Sequence, residues 1–287
     1  MRLATLATPA GQRPVLRSGD DYVDLLAADS SLPASVRGIL AAGSDALGAA
    51  KRAAEKSKKR TPVAEAKFLA PVPDPNKIIC LGLNYRDHAL ESGAAIPNEP
   101  VLFSKYTTAL TGHREPIVLP KVSSKVDYEA ELVIVMGKRG RHIPLERAMQ
   151  YVAGYSVGHD VSARDWQFKG EPKQWMSGKT FDTFAPVGPE LVTADEVPDP
   201  HAMPIRLKLN GELMQDSTTK QLIFGVPEIL AYCSTIMTLE PGDVIFTGTP
   251  PGVGAARKPP VFMKPGDVAV VEIDGLGALE NPCMAEA

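Results

Sequence analysis

The sequence predicts an α+β protein built around a mixed, curled β-sheet, with a small α+β appendage at its N-terminus. Residues 73–287 hold many short aliphatic or β-branched runs separated by Gly, Pro, Asn and Asp. Helical patterns do not alternate regularly with those runs, which argues against a doubly wound parallel sheet. An Ala-, Lys- and Glu-rich stretch, residues 34–59, stands apart near the N-terminus. The proline-punctuated segment from Pro62 to Pro75 is expected to separate a small domain, residues 1–72, from a larger strand-rich domain, residues 73–287.

Residues 2–7 and 13–17 read as two strands around the turn Pro9-Ala10-Gly11-Gln12. Tyr22 to Leu26 reads as a further short strand or turn. The helical stretch breaks near Gly43-Ser44. Lys77 to Leu81 is a buried strand ending at Gly82, and Val101 to Phe103 is another. Leu132 to Val135 is an aliphatic strand that stops at Gly137, and a strand-like run from Tyr151 ends at Gly158. Ile205–Leu209 and Glu212–Gln215 flank Asn210-Gly211, a type I′ hairpin signal. Residues 226–238 read as a helix with Pro227 in its first turn. Pro241-Gly242-Asp243 and Pro265-Gly266-Asp267 are turns, each followed by an aliphatic strand.

Composition narrows the function. The hydrophobic content of 44% is ordinary for a globular protein, and a net charge of −3 argues against a nucleic-acid partner. The basic run from Lys51-Arg52 to Lys58-Lys59-Arg60 sits among Ala and Glu and reads as a solvated helix face. Cys80, Cys233 and Cys283 lack C-x-x-C spacing, and Cys80 and Cys233, in apolar contexts, suit buried thiols in a reducing compartment. The first residues lack the apolar core of a signal peptide, and no run is long enough to span a bilayer, so no membrane partner and a cytoplasmic location are expected. The five histidines and three cysteines do not cluster at zinc-ligand spacing, and no G-x-S-x-G elbow occurs.

The acidic stretch Asp127-Tyr128-Glu129-Ala130-Glu131 leads into the strand at Leu132. Side chains alternate along a strand, so Asp127, Glu129 and Glu131 are expected on one face, where like charges repel. A hard divalent cation with oxygen ligands would offset that repulsion; an acidic edge facing water is the alternative. Asp160 follows the run that ends at Gly158. If a helix spans 160–168, Asp160, Arg164 and Gln167 share a face, with Asp160 on the cation, Arg164 on a substrate carboxylate and Gln167 as a neutral polar contact. The alternative is an N-cap Asp160 with Arg164 as its surface partner. His88 and Glu91 lie three apart and would meet on one helical turn, where a carboxylate orients an imidazole for general-base work. Lys179 after Gly178 could stabilise an oxyanion or enolate. The segment 92–98 is small-residue-rich and lid-like.

Taken in order, Gly82-Leu83-Asn84-Tyr85-Arg86-Asp87-His88-Ala89-Leu90-Glu91, Asp127 to Leu132, His159 to Asp165, Gly178 to Pro186 and Thr247 to Gly254 resemble the fumarylacetoacetate hydrolase family over roughly residues 73–283. The resemblance implies the fumarylacetoacetase C-terminal type of fold, a Mg²⁺ or Mn²⁺ enzyme, and small 2-oxo or 1,3-dicarbonyl acids as substrates. It implies Glu129, Glu131 and Asp160 as metal ligands, His88, Glu91 and Lys179 as catalytic residues, and a substrate-binding loop at Gly248-Thr249-Pro250. His159 departs from the asparagine common in relatives, a change expected to tune the metal's surroundings. Hydrolysis of carbon–carbon bonds in acylpyruvate-type 2,4-dioxo acids is the expected reaction. Decarboxylation of oxaloacetate or a related 2-oxo acid, or another reaction of the family (hydratase, isomerase or lyase), is the alternative. A homodimer is implied as well, with Val268 to Val271 as apolar surface that could extend an interface.

Overall fold

A computed structural model describes all residues, 1–287. The longest sheet has 12 strands. Its centre is built from Arg2–Thr8, Ala185–Thr193, Val152–His159, Ala130–Met136, Val244–Phe246 and Ile78–Gly82, in that order. Val244–Phe246 runs parallel to Ile78–Gly82, and the other neighbours along this path are antiparallel, so the sheet is mixed as expected. A 5-stranded sheet packs nearby, in the order Glu212–Thr218, Pro204–Leu209, Val268–Ile273, Gly277–Ala285 and Ile117–Leu119. A 2-stranded piece joins Val126–Asp127 to Ser162–Ala163.

The aliphatic run at 130–136 is continuous because both faces of its strand are covered. Leu132, Ile134 and Met136 enter the core shared with the smaller sheet. Val133 and Val135 enter a second core with Val36, Ile39, Leu40 and Ala50 of the N-terminal helices. Those helices are Val36–Ala41, capped by Ser35, and Ser44–Lys56, whose Lys51, Arg52 and Lys56 face water. The N-terminal hairpin joins the large sheet directly through Arg2–Thr8 and Ala185–Thr193.

The turns follow their sequences. Asn210 (φ 54°) and Gly211 (φ 83°) are both left-handed, as a type I′ hairpin requires. The segment Val226–Ile236 is helical with proline in its first turn. All three cysteines are free and buried. No helix is long and apolar enough to cross a membrane.

Two local expectations are corrected. The strand bearing the acids begins at Ala130, so Asp127 does not share its pleat and sits instead in the two-residue strand opposite Ser162. No helix spans 160–168; a single turn, Arg164–Gln167, starts after Ala163, and Asp160 caps nothing. Val268 to Val271 lies inside the smaller sheet, paired on both sides.

Close approach of strands at the sheet centre leaves no room for side-chain carbon at Gly154. A Cβ there would lie 2.0 Å from the Val192 carbonyl oxygen. Gly154→Ala is expected to destabilise the fold by roughly 1–3 kcal/mol, the usual range for overpacking. Urea titration should show a lower midpoint at an unchanged slope; an unchanged midpoint would mean that these strands are not held this tightly.

Candidate active site

Three carboxylates converge where the strands Ala130–Met136 and Val152–His159 end. Glu129 and Glu131 flank Ala130, which pairs with His159, and Asp160 follows directly. The backbone amide of Asp160 donates to the Glu129 carbonyl at 2.9 Å, fixing the two strand ends together. Ligand oxygens of Glu129, Glu131 and Asp160 lie within 4.8 Å of one another, and all three residues are buried.

Buried charge needs partners. Lys179 Nζ lies 2.7 Å from both Glu129 Oε2 and Asp160 Oδ2. Lys105 Nζ lies 2.7 Å from Asp160 Oδ1 and donates to the carbonyls of Val161, Lys179 and Phe184. Arg164 divides its guanidinium, with Nε to Asp127 Oδ2 at 2.8 Å, one terminal nitrogen to Glu129 Oε1 at 2.7 Å, and the other to Gln167 Oε1 at 2.8 Å. Glu131 has no cationic side chain in contact; its Oε2 accepts from the amide of Gly248 at 2.6 Å.

The protonation equilibria follow from this inequality. Burial pushes the Glu129 carboxyl up, but Lys179 and Arg164 outweigh it and hold it down at about 2. Burial, joined by the charges of Asp160 and Glu129, pushes Glu131 well above the carboxylate range. Burial lowers Lys179, but Asp160 and Glu129 more than restore it, so its ammonium persists. Burial and the Lys105 charge push His159 down to about 3, leaving it neutral, with Nε2 unpartnered beside the acids. With Glu131 ionised, four carboxylates (Asp127, Glu129, Glu131, Asp160) would meet three cations (Lys105, Arg164, Lys179), one positive charge too few, and a proton on Glu131 makes up the difference. An all-oxygen donor set with an unmatched, buried third carboxylate fits a hard divalent cation.

The other site residues arrive from separate elements. His88 and Glu91 lie on the helix Arg86–Ser92, with Nδ1 and Oε2 3.0 Å apart. Glu91 Oε1 accepts from the amide of Gly252 at 2.9 Å, which anchors the pair to the loop after Val244–Phe246. Thr249, on that loop, accepts from Gln215 Nε2 at 2.9 Å, leaving its hydroxyl proton free to donate. A cavity of about 300 Å³ is lined by His88, Glu129, Arg164, Gln167, Lys179 and Thr249 among others. The structure therefore brings all nine sequence-predicted site residues to one place except that Glu91 and the buried acids Glu131 and Asp160 stand behind this lining.

One expected local role changes. Arg164 is committed to Asp127, Glu129 and Gln167. Gly178 permits close packing against protein, since a Cβ there would lie 2.5 Å from the Ala163 carbonyl and from the Gln167 amide. Three contributors were not singled out in the sequence. Lys105 is a lone lysine after a strand, Gln215 lies in a hairpin strand, and the amides of Gly254 and Ala255 donate to Asp127. None leaves a spacing signal; only buried neighbours distant in sequence identify them.

Residues 77–284 match the family described as Fumarylacetoacetate (FAA) hydrolase C-terminal. The chain belongs to this enzyme family. A Xenopus laevis protein named oxaloacetate tautomerase fahd2, mitochondrial, is 50% identical over 93% of this chain and 84% of its own length. A Bos taurus oxaloacetate tautomerase FAHD2B, mitochondrial, is 47% identical over 98% of this chain and 91% of its own. Among solved structures, a putative HpcE protein of Mycobacterium smegmatis is 40% identical with a TM-score of 0.89, and both chains are covered completely, at 100%. The 5-carboxymethyl-2-hydroxymuconate delta-isomerase of the same organism is 34% identical with a TM-score of 0.79, again with 100% of both chains covered. The expected cytoplasmic location is corrected by the relatives, which are named as mitochondrial. Mitochondrial targeting segments are amphipathic and Arg-rich, so lacking an apolar signal core does not point to the cytoplasm.

The unmatched charge on Glu131 generates a two-sided prediction. A carboxyl raised in the folded state binds its proton more tightly there than unfolded, so its contribution to stability falls as pH rises above the ordinary carboxylate range. Mg²⁺ competes with that proton, so Mg²⁺ affinity should rise with pH. Glu131→Gln removes the burden and the ligand together. By calorimetry, the metal-free variant should melt higher than wild type at pH 8, while its Mg²⁺ affinity should fall by at least about 100-fold, beyond what outer-shell changes cost. Unchanged Mg²⁺ affinity would remove Glu131 from the ligand set.

Proposed function

We propose that this chain is a metal-dependent keto–enol tautomerase of small 2-oxo acids, with oxaloacetate as a substrate. The observation that carries the reading is 50% identity, over 93% of the chain, with a protein named oxaloacetate tautomerase. In the enol-to-ketone direction the C2 hydroxyl loses its proton, C2–O becomes a carbonyl, and C3 gains a proton. No carbon–carbon bond breaks and no co-reactant is consumed. An acid–base group beside an electrophilic site suffices for that exchange.

The chain's residues divide the work. Glu91, held by the Gly252 amide, fixes the His88 ring through Nδ1. Nε2 is then the proton carrier at C3. The Lys179 ammonium stabilises negative charge on the substrate oxygen. The amide nitrogen of Gln167, whose oxygen is taken by Arg164, and the hydroxyl of Thr249 bind the carboxylate ends. Arg164 keeps Glu129 ionised and in place. Mg²⁺ or Mn²⁺, held by Glu129, Glu131 and Asp160, would supply Lewis acidity toward the 2-oxo group.

The hydrolysis of 2,4-dioxo acids expected from the sequence would use the same His88–Glu91 pair to activate water. The relatives' named chemistry favours proton exchange, with decarboxylation and hydrolysis as alternative outcomes of one assay. Oxaloacetate enol should lose its ultraviolet absorbance faster with enzyme and Mg²⁺, with total oxaloacetate conserved by NMR. Pyruvate and CO₂ as the products would establish a decarboxylase instead, and oxalate with acetate a hydrolase. His88→Ala should slow the exchange by about 10²–10⁴-fold, the usual worth of an acid–base group, and retain Mg²⁺ binding. Wild-type exchange in this variant would exclude His88 as the proton carrier.

A further inference from the structure

The cavity beside Lys179 and His88 is chemically two-sided. Beyond its charged and polar groups, its lining includes Leu83, Phe103, Phe168 and Trp175. Phe103 and Trp175 meet edge to face with ring centroids 5.9 Å apart, and Lys179 Nζ lies 5.2 Å from the Phe103 ring. The aromatic cluster therefore abuts the lysine assigned to the substrate oxygen. The indole is admitted by Gly82, where a Cβ would lie 2.2 Å from the Trp175 ring.

Leu83 is the sharper observation. It holds φ at 52°, a left-handed backbone that glycine or asparagine adopts at much lower cost than leucine. An apolar side chain kept at a strained position in a ligand cavity points to a demand on that side chain. Phe168 adds a second one, a large ring left 48% exposed at the same cavity. The cavity's volume of about 300 Å³ equals the liquid volume of about ten waters. A four-carbon diacid is charged at both ends and offers this wall nothing apolar to cover. Binding cavities use a few polar groups to orient a ligand and apolar surface to bury the rest of it.

We propose that Leu83, Phe103, Phe168 and Trp175 form a subsite for an aryl group on C3 of the 2-oxo acid, making arylpyruvates ligands and substrates of this site. The reaction rests on the tautomerase reading; the binding does not. The polar end holds the 2-oxo acid head as for oxaloacetate, and the ring takes the place of the second carboxylate.

Two unreactive 2-hydroxy acids separate these claims. Calorimetry with Mg²⁺ present should show phenyllactate binding wild type more tightly than malate by at least about tenfold, the scale of one well-buried apolar group. Leu83→Asn introduces a residue that tolerates the left-handed backbone and removes the apolar contact, and Phe168→Ala removes a ring that folding leaves half in water. Each should lower the phenyllactate-to-malate preference by about tenfold. Phenylpyruvate enol should also be converted by wild type, with kcat/KM relative to oxaloacetate falling in both variants. Malate binding as tightly as phenyllactate, or a preference unmoved by both variants, overturns the subsite. If phenyllactate is preferred but oxaloacetate enol is not converted, the subsite stands and the tautomerase reading falls. If oxaloacetate enol is converted and phenyllactate is not preferred, the reverse holds.

Discussion

Burying three carboxylates within reach of one another is the constraint on which the rest of this protein depends. Glu129, Glu131 and Asp160 are out of water and would repel one another strongly if nothing compensated them. The fold answers with Lys105, Lys179 and Arg164, each bonded to at least one of the acids. Those cations come from three separate parts of the chain, so the acids draw distant segments together. Lys105 also gathers the carbonyls of Val161, Lys179 and Phe184, tying the turn after Asp160 to the segment after Lys179. Arg164 is shared with a fourth buried acid, Asp127, so the compensation stops one charge short, at Glu131. The candidate cation site and the structural ion-pair network thus share the same residues.

The sheets serve that object. The strand Ala130–Met136 is covered on both faces, which makes its end a rigid place from which to hang Glu129 and Glu131. The Gly248–Ala256 loop then closes the site from one side, with the Gly248 amide on Glu131, the Gly252 amide on Glu91, and the Gly254 and Ala255 amides on Asp127. One loop therefore supports the candidate ligand Glu131, the histidine's partner Glu91 and the anchor of Arg164. Asp127 and Glu91 act through what they hold in place.

Much of this was legible in the sequence because local signals agreed with the global fold. The Asn210-Gly211 hairpin, the Pro-Gly-Asp turns and the buried run at 132–135 are local facts, and the structure keeps them. His88 and Glu91 meet because a helical turn dictates it. Asp127 misled because strand alternation was extended across residues 128 and 129, where the strand has not begun. The helix expected from Asp160 gave way to a two-residue pairing of Ser162–Ala163 with Val126–Asp127, a tertiary contact invisible to periodicity. Lys105 and Gln215 were not singled out for the same reason, since their partners lie 55 and more residues away for Lys105 and 34 and more for Gln215.

The central claim is that one divalent cation at Glu129, Glu131 and Asp160 takes the place of the proton on Glu131. Crystals grown with Mn²⁺ and measured at the manganese absorption edge test it most directly. The account predicts a single anomalous peak within bonding distance of carboxylate oxygens from all three residues, with Lys105 still on Asp160 Oδ1. No peak there, with Lys179 alone bridging Glu129 and Asp160 and a proton on Glu131, would contradict it.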